Sequence, residues 1–140
     1  MSKPPREIAI DILSRRDHSV REMRMKLKRN NISSEIIDET ILWLIEKRLL
    51  NDRNFAQKKA ESIMRLKFCG PTYIKNKLRE AGIASDIIDE VVGNIADDAE
   101  WHDRAKKAVM QWQKVHPKHK DDKTRQQRFL ASRGFDFSTI

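Results

Sequence analysis

The sequence predicts an all-α protein made of repeated helical units, and three observations support this prediction. Apolar residues recur at helical spacing along most of the chain, without the period-two alternation of a half-buried strand. Glycine and proline number only four each in 140 residues, which disfavours turn-rich β architectures. A shift of 51 positions also places residues 36–39 (IIDE) on residues 87–90 (IIDE). We therefore predict an elongated array of tandem three-helix modules, the third incomplete.

The first module is expected over residues 1–50. Ser19 and Glu22 have the spacing of a capping box at the start of a helix, which Asn30–Asn31 is expected to close. Either Ser33 or Ser34 is expected to cap the next helix. The predicted buried stripe of that helix consists of Ile36, Ile37, Ile41, Leu44 and Ile45.

The second module is expected over residues 51–98. Asp52 is the predicted cap of a long helix that runs to about Phe68, and Gly70-Pro71 separates it from the next helix. Ser85 is the predicted cap of the last helix in this module. These positions repeat the scheme of the first module.

The third module is expected over residues 99–140, where a partial copy follows at an offset of 52 positions. The chain stops where the last helix of the pattern would begin, and Phe135 and Phe137 are residues that would normally help to dock that helix. We therefore expect the third module to be the least stable part of the chain.

Charge follows the repeat. The chain has 29 Lys and Arg against 21 Asp and Glu, a net charge of +8, which favours a polyanionic partner, with nucleic acid first among them. The second helix of each module is basic, and the third helices of the first two modules are acidic. If the modules stack in register, the basic helices would align into one positive stripe.

The candidate contact residues for such a partner come from the basic helices and the segments beside them: Arg16, Arg21, Arg24, Lys28, Arg29, Lys75, Arg79, Lys118, Lys120, Lys123, Arg125 and Arg128. Two interpretations of this charge pattern stay open. The basic helices form a binding surface, or the charged faces keep the helices soluble and pair with acidic helices inside each bundle. Arg24 lies nearer the core edge and is also a candidate for a structural role.

The sequence offers no catalytic or cofactor-binding motif. A Gly-rich phosphate loop, GxSxG and HExxH are absent, so we expect no enzyme activity and no cofactor. His116 and His119 could be drawn as a metal site, but Pro117 between them and the lysines around them favour a solvated linker. A single cysteine, Cys69, excludes an intramolecular disulfide and favours a reducing, cytoplasmic location. The longest apolar run, residues 41–45, is too short to span a membrane.

The aromatic residues are candidates either for base stacking or for the core. Trp43, Trp101 and Trp112 lie among apolar residues at helical spacing, so core packing is the preferred interpretation. Tyr73 falls outside the apolar face of its helix and is expected to be exposed.

Three motifs in order give the chain a resemblance to a known family. They are residues 15–23 (RRDHSVREM), residues 49–56 (LLNDRNFA), and Gly70-Pro71 followed by Ile74, Leu78, Gly82 and Ile83. Together they resemble the RecX regulatory proteins, which are bacterial modulators of the RecA recombinase. The resemblance covers nearly the whole chain. The Asn30–Asn31 pair departs from the family, where a glycine is usual.

The resemblance implies a cytoplasmic, monomeric regulator that acts in DNA repair and the SOS response. Family members bind the RecA–DNA filament and restrain its ATP hydrolysis, coprotease activity and strand exchange, and some contact single- or double-stranded DNA. The rival hypothesis is a nucleic-acid-binding helical protein without sequence specificity, because basic helices in three-helix modules can imitate helix-turn-helix docking. A helical scaffold for another partner is the third hypothesis.

Overall fold

The computed structural model describes residues 3–136, which are helical with connecting turns and contain no strand. A short 3₁₀ turn, Pro117–His119, precedes the last helix. The α-helices in chain order are α1 (Pro5–Arg15), α2 (Val20–Arg29), α3 (Ser34–Glu46), α4 (Asp52–Leu66), α5 (Pro71–Glu80), α6 (Ser85–Ile95), α7 (Asp98–Val115) and α8 (Lys123–Ser132). The prediction of an all-α fold is confirmed.

Three separate hydrophobic cores divide these helices into successive groups. The first core lies among α1, α2 and α3, and the second among α4, α5 and α6. The third is smaller and lies between α7 and α8, where the buried residues are Ala105, Ala108, Leu130 and Phe135. Phe135 is therefore a core residue, whereas Phe137 lies outside the described residues. The tandem modules expected from the repeat are present.

The first and second cores each include a residue from the chain that follows their third helix. Leu50 is buried in the first core, and Trp101, 51 positions later, is buried in the second. Trp101 thus belongs to the second core, together with Ala96. Ala105 and Ala108 lie on the same helix as Trp101 but belong to the third core.

The array exposes more surface than a single compact core would. Its accessible area is 9563 Å², whereas a compact monomer of this mass would expose roughly 7,500 Å². The three small cores contribute to this difference, because each module covers only its neighbours in the chain. The architecture is an extended series of helical bundles.

The helix ends of the first module match their sequence signals. Ser19 and Glu22 form the predicted capping box, in which the Glu22 N–H donates to Ser19 Oγ and the Ser19 N–H donates to Glu22 Oε1, each at 3.1 Å. Asn31 has a φ of 59°, the left-handed conformation that asparagine tolerates at the end of a helix. Of the two candidate caps for α3, the N-cap residue is Ser33.

Two predicted caps are wrong. Asn51, not Asp52, caps α4, and its side chain accepts from the Asn54 N–H at 3.1 Å. The Asp52 carboxylate instead accepts from the Val20 N–H at 2.8 Å, so the first residue of α4 contacts the first residue of α2. Ser85 is already the first residue of α6, and the Ile88 N–H bonds to the carbonyl of Ala84. The long helix α4 ends at Leu66, two residues before the predicted end.

The tryptophans pack against the bundles to different degrees. Trp101 is buried, and Trp43 is half-buried beside the first core with the Arg6 guanidinium 4.6 Å from its ring centroid. Trp112 is half-buried and stacks on His116, with 4.8 Å between ring centroids. The expectation that Tyr73 is exposed is wrong: it is half-buried, because the backbone of the third module packs directly against it.

Two further features of residues 3–136 bear on site chemistry. No helix in this part of the chain is long and apolar enough to cross a membrane, and no group of three or more His, Cys, Asp or Glu residues there is arranged to hold a metal ion. Cys69 is buried, and this burial raises the pKa of its thiol despite the nearby cations Arg104, Lys67 and Arg133. Cys69 is a small residue of the second core.

Candidate polyanion-binding surface

The first two modules are joined at the ends of two helices. Ser19, at the start of α2, donates its hydroxyl to the carbonyl of Ala81 at 2.6 Å, in a buried contact at the end of α5. The Arg21 guanidinium donates to the neighbouring Glu80 carbonyl at 3.0 Å. These bonds satisfy carbonyls that α5 leaves free at its C-terminus. The N-terminus of α2 therefore rests on the C-terminus of α5.

The second and third modules are joined in the same way. The Gly70 N–H donates to the Arg133 carbonyl at 2.8 Å, and the Thr72 N–H donates to the Gly134 carbonyl at 3.0 Å. Gly70 occupies the position in α5 that Ser19 occupies in α2, and Arg133 corresponds to Ala81. The N-terminus of α5 therefore rests on the C-terminus of α8.

A glycine lies at each of these junctions, where the preceding module comes close to the end of a helix. Gly82 and Gly134 end α5 and α8 with φ values of 84° and 85°, a conformation that side chains disfavour. A Cβ atom on Gly82 would lie 2.6 Å from Arg21 Cδ, and one on Gly134 would overlap the backbone of Tyr73. The repeat thus uses one glycine both to end a helix and to leave room for the preceding module.

The two junctions place the basic helices end to end in the order α8, α5, α2. We call this series the basic run. Its helix dipoles point head to tail, with the positive end of one helix against the negative end of the next. The acidic helices α3 and α6 pack beside it within their own modules, and their acidic residues are Glu35, Asp38, Glu39, Glu46, Asp86, Asp89 and Glu90.

The predicted contact residues lie on or beside the basic run. All are exposed except Lys75, which is partly buried. Arg16 precedes α2, while Lys118 and Lys120 lie in the segment between α7 and α8. The remaining nine are carried by the three helices themselves: Arg21, Arg24, Lys28, Arg29, Lys75, Arg79, Lys123, Arg125 and Arg128.

Half of these residues already have partners within the chain. Arg24 pairs with Asp38, and Lys75 Nζ lies 3.8 Å from Asp89 Oδ1, so each ties a basic helix to the acidic helix of its own module. The other four engage nearby groups: Arg16 with Glu22, Arg21 with the Glu80 carbonyl, Arg79 with Asn76, and Arg125 with Asp122. Charge pairing inside the bundles therefore accounts for part of the basic pattern, and Arg24 is one of the paired residues.

The other half have no side-chain partner among residues 3–136. Lys28 and Arg29 lie at the free C-terminal end of α2. Lys123 and Arg128 lie on α8, at the opposite end of the basic run, and Lys118 and Lys120 just precede that helix. Unpaired cations are thus concentrated at the two ends of the run, and the middle helix α5 is more fully paired.

Sequence reasoning missed Arg104, which fixes the third module to the second. Its guanidinium donates to the carbonyls of Met64 and Lys67, at 3.0 and 2.7 Å, where α4 ends. The repeat places Arg104 at the position of Arg53 in the preceding module, but Arg53 instead pairs with Glu90. The partner of this arginine differs between modules, so the repeat alone gives no signal for the contact.

Comparison with known proteins agrees with this architecture. The sequence model of the RecX first three-helix domain matches residues 6–44, and that of the RecX second three-helix domain matches residues 51–92. The chain is similar to Regulatory protein RecX of Chlorobium phaeobacteroides, with 34% identity over 96% of this chain and 87% of the relative. It is 35% identical to Regulatory protein RecX of Prosthecochloris aestuarii, over 94% of this chain and 85% of that protein.

Solved structures show the same fold. The crystal structure of RecX from Lactobacillus salivarius superposes with a TM-score of 0.86 at 23% identity, covering 96% of this chain and 88% of the other. A second crystal structure, of regulatory protein RecX, gives a TM-score of 0.88 at 20% identity, covering 96% of this chain and 68% of the other. The matched domains, the sequence identity over nearly the whole length and the end-to-end modules lead to one conclusion: the chain belongs to the RecX family of regulatory proteins.

Proposed function

We propose that this protein binds the RecA–DNA filament through the basic run and restrains the ATPase, coprotease and strand-exchange activities of RecA. The observation that carries the proposal is the end-to-end joining of α8, α5 and α2. A helical filament offers a periodic groove along its surface, and a ligand for such a groove must extend over several protomers. Three small bundles in series reach further than one compact domain of the same length.

The distribution of free charge supports the same proposal. Lys28 and Arg29 at one end of the basic run, and Lys123 and Arg128 at the other, have no carboxylate partner among residues 3–136. Their charges are therefore available to an acidic partner without breaking an ion pair inside the protein. Exposed charges of this kind guide association and fix orientation on a complementary surface.

The experiment is RecA-catalysed ATP hydrolysis on single-stranded DNA, with the protein added below filament stoichiometry. We expect the wild-type protein to inhibit hydrolysis at physiological salt. The test variant reverses four unpaired cations of the basic run: Lys28→Glu, Arg29→Glu, Lys123→Glu and Arg128→Glu. We expect this variant to lose inhibition, because each substitution replaces attraction to the filament by repulsion.

A matched control carries the same change of net charge elsewhere on the surface. Lys47, Arg65, Lys106 and Lys114 are exposed, lie outside the basic run and have no ion-pair partner among residues 3–136. Their joint replacement by Glu is expected to leave inhibition largely intact. Absence of inhibition by the wild-type protein, or equal loss in both variants, would overturn the proposal.

A further inference from the structure

The outer face of α3 carries an apolar stripe that residues 3–136 leave exposed. Leu42, Ile45 and Leu49 follow one another at the i, i+3, i+7 spacing of one helix face. Their exposed fractions are 61%, 44% and 45%, whereas Ile37 and Leu44 on the opposite face are buried in the first core. Single exposed apolar residues are ordinary on protein surfaces, but adjoining ones on one face are typical of interaction sites.

The backbone at the end of α3 extends this stripe beyond the last helical turn. Arg48 has a φ of 61°, and its N–H donates to the Ile45 carbonyl at 3.0 Å. The Leu49 N–H donates to the Leu44 carbonyl at 2.8 Å. These two bonds form a Schellman motif, which ends the helix and turns the following residue back towards it. Leu49 is therefore held in place as part of the face.

A cleft beside the stripe has room for an apolar side chain. Its volume is about 370 Å³, and its apolar lining comes from Val20, Ile45, Leu50 and Ile87. Ile87 belongs to α6, so the cleft lies where the first module meets the second. A molecule on the α3 face can therefore bury apolar side chains both on the stripe and in the cleft.

The repeat indicates that the fold does not need these apolar side chains. A shift of 51 positions places Leu42 on Gly93, Ile45 on Ala96 and Leu49 on Glu100. The second module forms its own core with these smaller or charged residues, and a Cβ atom on Gly93 would meet no atom within 4 Å. The stripe distinguishes the first module from the second, and core packing does not account for it.

Acidic side chains share the outer face with the stripe. Helix α3 contains four carboxylates and no Lys or Arg. Asp38 pairs with Arg24, whereas Glu35, Glu39 and Glu46 are exposed and have no ion-pair partner among residues 3–136. Glu46 lies in the last turn, where the helix dipole disfavours a carboxylate, so helix stability does not account for its charge.

We propose that the outer face of α3 is a docking site for a basic amphipathic helix of a protein partner other than RecA. The apolar side chains of that helix pack on Leu42, Ile45 and Leu49, and its Lys or Arg residues pair with Glu39 and Glu46. The site goes beyond the proposed function, since it lies outside the basic run and uses none of the twelve predicted contact residues.

The charge of the face selects this occupant over two others. Nucleic acids and anionic lipids are repelled by the carboxylates of α3. A second copy of this chain has basic helices, but within residues 3–136 helix α2 exposes one large apolar side chain, Met25, and α5 and α8 expose none. Met110 and Val115 are exposed on α7, but a spacing of five residues places them on different sides of that helix.

The test is fluorescence anisotropy of a labelled synthetic peptide titrated with the full chain, without RecA or DNA. The peptide is an amphipathic helix of about 18 residues, or about five turns, with leucines on one face and lysines at its edges. We expect saturable binding that weakens as salt is raised. Because the chain has a net charge of +8, it repels such a peptide overall, so binding reports a local acidic surface.

The first variant shortens the apolar stripe. We expect Leu42→Ala combined with Ile45→Ala to weaken binding at least about tenfold, because a few central apolar residues carry most of the binding energy of such a face. The matched control is Met110→Ala combined with Val115→Ala, which removes two exposed apolar side chains from α7. We expect this control to bind like the wild type.

The second variant removes acidic charge and keeps side-chain shape. Glu39→Gln combined with Glu46→Gln is expected to weaken binding at low salt and to reduce its salt dependence. The matched control is Asp98→Asn combined with Glu100→Gln, which makes the same change of net charge at two exposed positions of α7 and should leave affinity unchanged. Circular dichroism and thermal melting establish that each variant keeps its helices.

Any of four results would overturn the proposal. The first is absence of saturable binding by the wild-type protein at low salt. The second is equal affinity for a peptide in which Glu replaces the lysines or Ala replaces the leucines. The third is wild-type affinity in either variant of α3.

The fourth result concerns the two other occupants of the face. Loss of RecA inhibition in the Leu42 and Ile45 variant would assign the face to the filament. Self-association of the wild type in sedimentation velocity, abolished in that variant, would assign it to a second copy. Failure of the peptide test leaves the RecA proposal standing, because the four cations tested there lie on α2 and α8.

Discussion

The Ser19 hydroxyl makes two hydrogen bonds that serve different levels of structure. It accepts from the Glu22 N–H at 3.1 Å to cap α2, and it donates to the carbonyl of Ala81, 62 residues away, at 2.6 Å. The first bond is local and begins a helix. The second is buried and joins two modules, so one small side chain both begins a basic helix and fixes it to the next.

Replacing Ser19 should therefore cost more than the loss of a helix cap. We expect Ser19→Ala to lower the free energy of unfolding by about 2–3 kcal/mol, since it removes a cap and leaves the buried Ala81 carbonyl without its donor. Ser33→Ala is the matched control, because Ser33 caps α3 at an exposed position, and it should cost about 1 kcal/mol. Urea denaturation measures both, and equal losses would show that the Ala81 contact contributes nothing.

The close approach at Gly70 gives a second test. Its φ of −95° suits any residue, but a Cβ atom would overlap the backbone of Gly134 and Phe135. We expect Gly70→Ala to cost about 1–3 kcal/mol and to accelerate amide exchange in α8, while the first module stays protected. Gly93 lies in α6 with open space around it, so Gly93→Ala should instead stabilise the protein by roughly 0.5–1 kcal/mol.

Exchange in the wild-type protein supplies the baseline for that experiment. The third core has only four buried hydrophobic residues among residues 3–136, so its amides should exchange fastest of the three modules. Uniformly slow exchange from Lys118 to Arg133 would contradict this expectation, and unchanged exchange in Gly70→Ala would contradict the account of the junction.

Glu22 makes the first junction sensitive to acid. Burial raises the pKa of its carboxyl, but hydrogen bonds from Arg16 and the Ser19 N–H, with the charges of Arg16 and Lys59, outweigh burial and lower the pKa overall. Because the pKa is lower in the folded state than in the unfolded state, the ionised carboxylate stabilises the fold at pH values above the ordinary pKa of glutamate. This contribution is lost as the pH falls through the lowered pKa.

The comparison that isolates this charge is Glu22→Gln, which keeps the shape of the side chain and its capping oxygen. We expect the wild type to be more stable than the variant at neutral pH, and the difference to close as the solution is acidified below about pH 4. Glu46→Gln serves as the control, because Glu46 is exposed and has no ion-pair partner among residues 3–136. Thermal melting over a pH series measures both, and a gap for Glu22→Gln that does not vary with pH would contradict the prediction.

Local patterns predicted the helices and the order of the modules, because amphipathic spacing and capping depend on residues close in sequence. The Ser19–Glu22 capping box is one example, and the buried Met23 and Leu27 of α2 are another. The separation of basic and acidic helices was also visible, since charge type follows the repeat. These features require no knowledge of how modules meet.

Contacts between modules were not predictable in the same way. The carboxylate of Asp52 suits a helix cap, and only the packing of α4 against α2 assigns it to the Val20 N–H. Tyr73 lies outside an apolar face, yet the backbone at Gly134 covers part of it. Arg24 pairs with Asp38, which lies on another helix. Whether Arg24 is available to a ligand therefore depends on tertiary structure. Among the predicted contact residues, Arg21, Arg24 and Lys75 have their partner on another helix, and sequence alone does not separate these three from the residues that stay unpaired.

The most direct test of the basic run is the affinity of the fluorescently labelled protein for RecA filaments assembled beforehand on single-stranded DNA. The variant with Lys28, Arg29, Lys123 and Arg128 changed to Glu is compared with the control in which Lys47, Arg65, Lys106 and Lys114 are changed to Glu. We predict that the basic-run variant binds at least about tenfold more weakly than the control, and that the control stays close to the wild type. Equal affinity of the two variants would contradict the account.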